Sequence, residues 1–250
     1  MSIKRHPIRD PRTVARDIPG VLDVLFPRLT GALVTSLNRS AQSFPELSPI
    51  EETDIEQSSL QKSMLFELSV SYVEAILQGN HSPIWTECLE ESARKQRLHY
   101  DAKIPVTLEP SDLRVAEHAA FNLLHMLNWI KSSDQHSVLE IEPKIPGMGW
   151  ISSGRADFCF GKTLIEVKHT DRNFLSRDFR QVLMYWLLKY AQSIESGDQI
   201  WTDLLLLNPR RNSAIILKFD YLLSSASANS NRVELSELLR SIANSNIDFF

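Results

Sequence analysis

The segment 154–168, which reads GRADFCFGKTLIEVK, constrains the fold of this chain more than any other part of the sequence. The apolar β-type residues on either side of Gly161-Lys162 predict two strands, and glycine at the first central position is what a type II′ hairpin turn requires. In the register that this turn sets, Asp157 lies directly opposite Glu166. Because side chains alternate along a strand, Lys168 shares the face of these two carboxylates.

Two opposed carboxylates on one sheet face need a chemical reason. Like charges about 5 Å apart destabilise a sheet, and burial makes the conflict worse by raising carboxylate pKa values. A hard divalent cation removes the conflict, since Mg²⁺ takes one or two protein carboxylates together with waters and phosphate oxygens. The alternative is an exposed sheet face on which Lys168 neutralises Glu166. The apolar neighbours Phe158, Ile165 and Val167 favour a covered, central hairpin and therefore the metal interpretation.

Hydrophobic periodicity predicts how helices and strands alternate around this hairpin. Beyond residue 108 it predicts, in chain order, a helix over 113–131, strands over 138–145, 151–160 and 163–167, a helix over 176–192, strands over 201–207 and 214–219, and a helix over 233–243. Three consecutive strands followed by a crossover helix imply a mixed sheet with helices on its faces, which is an α/β fold of the α+β type.

The first hundred residues are predicted to be mostly helical, and they carry no recognisable catalytic motif. Helical spacing covers 21–41, 58–77 and 82–97, and an acidic, proline-containing segment over 42–57 is interpreted as a linker or mobile loop. The basic segment 1–17 is interpreted as a solvated arm, with a phosphate or partner contact as the alternative. We therefore divide the chain into a helical N-terminal accessory region, 1–105, and a second domain, 106–250.

Composition excludes several classes of protein. The chain has 250 residues, of which 43% are hydrophobic and 23% charged, so it is neither disordered nor fibrous and can bury a large core. The formal net charge of -4 means that any contact with nucleic acid must be local. No apolar run is long enough for a transmembrane helix, and Cys88 and Cys159 form no zinc-binding pattern. These features, and the lack of an apolar secretory segment, predict a cytoplasmic protein.

Asp157, Glu166 and Lys168, with eight residues between the first two, resemble the motif of the PD-(D/E)XK nuclease superfamily. On the helix that follows, Gln181 and Tyr185 resemble the Gln-x-x-x-Tyr motif of the RecB-like branch. The predicted order of elements over roughly 110–220 is similar as well. The resemblance implies a restriction-endonuclease-like core, and the first 105 residues lie outside it.

This resemblance implies a Mg²⁺-dependent nuclease in which Mn²⁺ can substitute for Mg²⁺. Asp157, Glu166 and the backbone carbonyl of Val167 would bind the metal. Lys168 would position the attacking water. Gln181 would orient Lys168 or the substrate phosphate, and Tyr185, one helical turn further on, would contact the substrate.

The family usually adds an acidic residue from the first core helix. Glu117 is the candidate here, because it falls on the apolar stripe of the predicted helix 113–131. Glu140 and Glu142, on the strand before the hairpin, are alternatives.

Basic side chains near the predicted site are expected to contact the substrate backbone without reading its sequence. They are Arg172, Arg177, Arg180, Arg210 and Arg211. For the last two, which belong to a predicted turn, a solvated turn is an equally good interpretation.

The resemblance favours DNA over RNA as the substrate. It implies a role in restriction, repair or phage defence, beside a motor or sensor protein. Two alternatives stay open, because a fold does not fix a function. One is a catalytically silent copy of the fold that acts as a scaffold or partner-binding subunit of a nucleic-acid-processing complex. The other is an RNA-cleaving enzyme with the same site. No membrane contact is expected, and the sequence leaves the oligomeric state open.

Overall fold

The computed structural model describes residues 8–18, 20–96, 107–132 and 137–244. Its helices are α1 (Pro11–Asp17), α2 (Val21–Leu25), α3 (Gly31–Arg39), α4 (Glu52–Gln57), α5 (Lys62–Leu77), α6 (Trp85–Gln96), α7 (Pro110–Ser132), α8 (Ser176–Ser196), α9 (Phe219–Ala226) and α10 (Arg232–Asn244). Its strands are β1 (Leu139–Ile141), β2 (Lys144–Ile145), β3 (Gly154–Arg155), β4 (Phe158–Phe160), β5 (Thr163–Val167), β6 (Asp203–Asn208) and β7 (Ser213–Lys218). A short 3-10 turn, Pro209–Arg211, connects β6 to β7.

A mixed five-stranded sheet in the order β1-β4-β5-β6-β7 forms the centre of the molecule. Strands β5 and β6 are parallel because α8 connects them, and the other neighbours pair antiparallel. A separate two-stranded ladder joins β2 to β3. The predicted mixed sheet with flanking helices is therefore confirmed, and the fold is α+β.

The predicted hairpin register is confirmed. Phe160 pairs with Thr163, and Phe158 pairs with Ile165. Gly161 has a φ of 56°, the left-handed conformation that the turn demands. A Cβ atom at this position would lie 2.6 Å from the side-chain oxygen of Ser137, so glycine also meets a steric need.

Two strands that were predicted to be continuous are each divided. The segment 138–145 forms β1 and β2, and 151–160 forms β3 and β4. The break between β1 and β2 falls at Glu142-Pro143, where Glu142 has a φ of 51° and Pro143 lacks an amide hydrogen for the ladder, and β3 and β4 are separated at the facing residues 156–157. The chain bends at this point, so β1 joins the main sheet while β2 and β3 form their own ladder.

The prediction of a solvated arm is wrong for the part of 1–17 that the structure describes. Residues 11–17 form α1, which begins with a cap by Asp10 and has proline at its first position. Val14 and Ala15 are buried against the core around α8. The backbone of Arg9 accepts a hydrogen bond from the amide of Ser152 (2.9 Å), which fixes the segment before the helix. The basic residues 4 and 5 lie outside the described residues.

Each face of the sheet is covered by its own core. One core contains residues of α1, α2, α3 and α8, together with Leu164 of β5. The other contains residues of α5 and α7, together with Ile165 of β5. Helices from the first hundred residues therefore pack against both faces, and the predicted boundary at 105 lies outside the described residues. None of the helices in the described ranges is both long and apolar enough to cross a membrane.

Candidate active site

The two carboxylates of the hairpin meet where β4 begins and β5 ends. Asp157 directly precedes β4, and its Oδ2 accepts a hydrogen bond from the amide of Val167 at 2.6 Å. Glu166 lies in β5 on the face that α8 covers, as does Leu164 two residues earlier. This side-chain hydrogen bond lies next to the last backbone pair of the hairpin, Phe158 with Ile165, and holds Asp157 beside Glu166.

Lys168, Glu166 and Gln181 form a buried hydrogen-bonded triangle. The Nζ atom of Lys168 donates to Glu166 Oε1 (2.6 Å) and to Gln181 Oε1 (3.0 Å). The amide nitrogen of Gln181 donates to the same Glu166 oxygen (2.6 Å) and to the hydroxyl of Tyr185 (2.9 Å). Exposed fractions are only 2% for Glu166, 8% for Lys168 and 1% for Gln181. The lysine and the glutamate therefore do form an ion pair, but a buried one rather than a surface pair.

The pKa of Asp157 is displaced upward in this setting. This pKa is raised from 3.8 to about 8, first by burial and then by the charge of Glu166, against the opposing effects of Lys168, the Val167 hydrogen bond and Arg12. The pKa of Tyr185 is also raised, first by burial and then by the charges of Glu166 and Asp157. A cation bound between the two acids would oppose both effects, because it stabilises the charged form of each carboxylate.

The donor set fits a hard divalent cation. The second carboxylate oxygen of Glu166, Oε2, is buried and has no hydrogen-bond partner. An orphaned buried carboxylate oxygen is unfavourable unless something binds it. Asp157 stands beside it, and oxygen donors are what Mg²⁺ prefers. Within the described part of the chain, no group of three or more His, Cys, Asp or Glu side chains is placed to hold a metal ion, so the protein would supply at most two carboxylates.

Helix α1 contributes two arginines that the sequence analysis did not assign to the site. Arg16 donates to Gln181 Oε1 (3.1 Å) and lies 3.5 Å from the buried carboxylate of Asp178. Arg12 lies one helical turn earlier on the same face of α1. Desolvation lowers the pKa of Arg12, but the charges of Glu166 and Asp157 outweigh this and raise it. The spacing of the two arginines after the cap Asp10-Pro11 could have indicated a basic helix face.

The acidic residue predicted on the first core helix is not at the site. Glu117 lies on the exposed side of α7 and makes no contact with the hairpin acids. Glu142 forms an ion pair with Lys95 at 3.2 Å instead. Glu67, on α5, is among the carboxylates whose charge raises the pKa of Arg12. The 3.6-residue stripe marks the buried side of α7, and that side faces the opposite face of the sheet from Glu166.

Of the five predicted substrate-binding arginines, three are paired with acids, one contacts an asparagine, and one has no ion-pair partner among the described residues. Arg172 is paired with Asp178 (3.3 Å), and Arg180 is paired with Asp23. Arg210 is only 2% exposed and is paired with Glu52 and with Asp171, so both the phosphate contact and the solvated turn predicted for it are wrong. Arg211 donates to the side chain of Asn173 (2.6 Å). Arg177 is exposed and has no ion-pair partner among the described residues.

No protein-family model and no curated protein matches this sequence. Function must therefore be inferred from the chemistry of the site.

Proposed function

We propose that this protein is a divalent-metal-dependent nuclease of the PD-(D/E)XK type, RecB-like branch, with a restriction-endonuclease-like core. One observation carries the proposal. A buried lysine is held between Glu166 and Gln181, while the other oxygen of Glu166 is left without a partner beside Asp157. The motif resemblance described above is consistent with this arrangement.

Stability alone is a poor reason for the triangle. A buried ion pair is often no more stable than apolar side chains of similar volume, because desolvation opposes the attraction of the charges. Asp157 adds a further acid whose pKa is raised by burial and by Glu166. A silent scaffold would gain stability by losing these groups, whereas an enzyme needs them. The intact set therefore supports the catalytic alternative over the scaffold.

In the proposed mechanism the chain positions a phosphodiester and a water molecule. Asp157 and Glu166 would hold Mg²⁺ or Mn²⁺, with the Val167 carbonyl as a further ligand. The bound cation would supply Lewis-acid stabilisation of the phosphate oxygens. Lys168 uses two of its three donor hydrogens on Glu166 and Gln181, so the third is available to water or to a phosphate oxygen.

Hydrolysis adds water to phosphorus and breaks one phosphorus–oxygen ester bond. Arg12 is close enough to the two carboxylates for their charges to raise its pKa. The same position would let it neutralise the charge of a phosphate bound there. Arg16 keeps Gln181 in place through its 3.1 Å hydrogen bond. DNA is the proposed substrate, in restriction, repair or phage defence beside a motor or sensor protein, and RNA is the alternative that the test below includes.

The test is a cleavage panel with Mg²⁺ or Mn²⁺ on linear duplex DNA, circular duplex DNA, single-stranded DNA and RNA, with EDTA as a control. Wild type, Asp157→Ala and Lys168→Ala proteins are compared. Metal-dependent cutting by the wild type alone supports the proposal and identifies the substrate. Equal cutting by all three proteins indicates a contaminant. If the wild type neither cuts nor binds metal in a calorimetric titration, the nuclease proposal is rejected in favour of a catalytically silent scaffold.

The pH dependence of metal binding provides a further prediction. Because the pKa of Asp157 is raised to about 8, this carboxyl holds a proton at neutral pH that a cation must displace. Affinity for Mn²⁺ is expected to rise by up to about tenfold per pH unit below pH 8 and to level off above it. Calorimetry in buffers of different ionisation enthalpy would show the release of about one proton. Affinity that does not change between pH 6 and 9 would contradict this role of Asp157.

Replacement of Arg12 should affect metal and substrate in opposite directions. Arg12→Gln removes a positive charge near Asp157 and Glu166, so Mn²⁺ affinity is expected to increase about three- to tenfold, which corresponds to roughly 1 kcal/mol of repulsion. Affinity for a DNA oligonucleotide is expected to decrease. Arg9→Gln, at an exposed arginine before α1, is the matched control. Weaker metal binding in Arg12→Gln would contradict the placement of this side chain.

A further inference from the structure

A cavity of about 690 Å³ lies between α3 and the start of α8. Its apolar lining consists of Val34 and Phe174, which are nearly buried, and of the exposed Leu175. Its walls carry the arginines Arg39 and Arg177, as well as Arg180. Volumes of 300–1,000 Å³ are typical of sites for small organic molecules, and the combination of an apolar lining with cationic walls suits a flat apolar ring that carries phosphate.

The arginines that line this cavity are only partly paired with acidic side chains, although the protein as a whole carries a net negative charge. Arg39 and Arg177 are exposed, and neither has an ion-pair partner among the described residues. Arg180 is paired with Asp23. Nearby, burial lowers the pKa of Arg16, and the charges of Arg12 and Arg177 lower it further against the opposing effect of Asp178. In a chain of net charge -4, two cavity arginines without an ion-pair partner among the described residues, next to a further group of arginines on α1, indicate an anionic ligand.

The cavity adjoins the site through α8. Arg177 and Gln181 are four residues apart, so they lie on the same face of the helix, about 6 Å apart along its axis. Tyr185 lies one further turn along, and its hydroxyl accepts a hydrogen bond from the amide of Gln181. Gln181 and Tyr185 are buried, but Arg16 contacts Gln181 (3.1 Å) and is close enough to Arg177 for that charge to lower its pKa, so the cavity neighbours the triangle.

We propose that the cavity binds one unpaired nucleotide of the strand that the enzyme cuts. The base lies against the apolar lining formed by Val34, Phe174 and Leu175, and the flanking phosphates lie at Arg39 and Arg177. This inference rests on the proposed nuclease function and narrows it to single-stranded nucleic acid. A base in a duplex is stacked on its neighbours and can enter such a cavity only after it has been unpaired.

Gly31 allows the cavity to be filled without disturbing its walls. It lines the cavity at the first position of α3, and a Cβ atom there would meet nothing within 4 Å. Gly31→Trp should therefore occupy the space of the base, whereas Gly31→Ala should not. Binding of fluorescein-labelled oligothymidylate, oligouridylate and a DNA duplex is measured by anisotropy, with EDTA present so that no strand is cut.

Gly31→Trp is expected to weaken binding of the single strand by about five- to a hundredfold, which is the contribution of one stacked base. Gly31→Ala should bind within about twofold of the wild type. Arg177→Ala should weaken binding and reduce the salt dependence by about one phosphate contact. Because it leaves the cavity open, it keeps the test valid if Gly31→Trp fails to fold in a thermal melt. Comparison of oligothymidylate with oligouridylate shows whether DNA or RNA is preferred.

Three results would overturn the inference: no binding of any oligonucleotide, tighter binding of the duplex than of the single strand, or wild-type binding by both Gly31→Trp and Arg177→Ala. The Mg²⁺ cleavage assay separates this inference from the proposed function. Cleavage that is unaffected by Gly31→Trp refutes the nucleotide cavity and leaves the nuclease. Single-strand binding that Gly31→Trp weakens, without metal-dependent cleavage by the wild type, supports the cavity and refutes the nuclease.

Discussion

Asp157→Asn protein is expected to lose metal-dependent cleavage by roughly a thousandfold or more and to become more stable at alkaline pH. Activity falls because an amide is a poor ligand for a hard cation and carries no charge. Stability rises because the pKa of Asp157 is about 8 in the folded protein and near 3.8 in the unfolded chain. The folded state therefore binds the extra proton between these values, so wild-type stability falls as pH rises toward 8. Asparagine is permanently neutral and can still accept the Val167 hydrogen bond.

Denaturant unfolding at about pH 5 and pH 9 measures this effect. The gain is expected to be on the order of 1 kcal/mol or more at pH 9 and small at pH 5, since each pKa unit corresponds to about 1.4 kcal/mol. Glu117→Gln provides the contrast, because the structure places this acid on the exposed side of α7. It should change neither cleavage nor stability appreciably. Loss of cleavage in Glu117→Gln, with activity retained in Asp157→Asn, would reverse the assignment.

Lys168→Met is the second substitution with a large expected effect. It leaves the carboxylate of Glu166 buried with only Gln181 as a partner, and breaking a buried ion pair from one side destabilises by about 3–5 kcal/mol. Cleavage should fall by about 10²–10³-fold or more, as when a preorganised donor is removed. Metal affinity should be retained or increased, because Lys168 no longer competes for Glu166. Chemical denaturation, cleavage assays and calorimetry give the three quantities.

A double-mutant cycle with Glu166→Gln distinguishes the ion pair from simple packing. In the Glu166→Gln background, Lys168→Met should be far less destabilising, because no uncompensated charge is left behind. Lys189→Met on α8 serves as the matched lysine control, since its nearest carboxylate lies 3.7 Å away at the surface. Equal destabilisation by Lys168→Met in both backgrounds would show that the ion pair does not contribute. Weaker metal binding in the single variant would show that Lys168 does not compete with the cation.

The hairpin could be predicted from sequence because its determinants are local. A glycine turn fixes the register, and alternation then fixes which side chains share a face, so Asp157, Glu166 and Lys168 follow from neighbours within about ten residues. The division at Glu142-Pro143 was missed because an interrupted strand and a continuous one have similar apolar patterns. Proline was the available indication of the break.

The rest of the site depends on contacts between distant parts of the chain. Arg16 reaches Gln181 across 165 positions, and no local pattern reports such a pairing. The acidic segment 42–57, predicted to be a linker, contains α4, and Glu52 of that helix neutralises the buried Arg210. Both errors have one physical cause. From sequence alone, a charged side chain in a polar segment is predicted to be solvated, because its partner lies in a distant part of the chain.

The long interval between α1 and α8 has a consequence for synthesis of the protein. The chain emerges from the ribosome N-terminus first, at about 5–20 residues per second, so roughly ten to thirty seconds separate Arg16 from Gln181. During this interval Val14 and Ala15 have no α8 to cover them. The triangle of Lys168, Glu166 and Gln181 also needs β5 and α8 together, so a nascent chain that ends before α8 cannot form it. The candidate site is therefore assembled only after most of the chain has been made, and the proposed nuclease activity would be delayed until then.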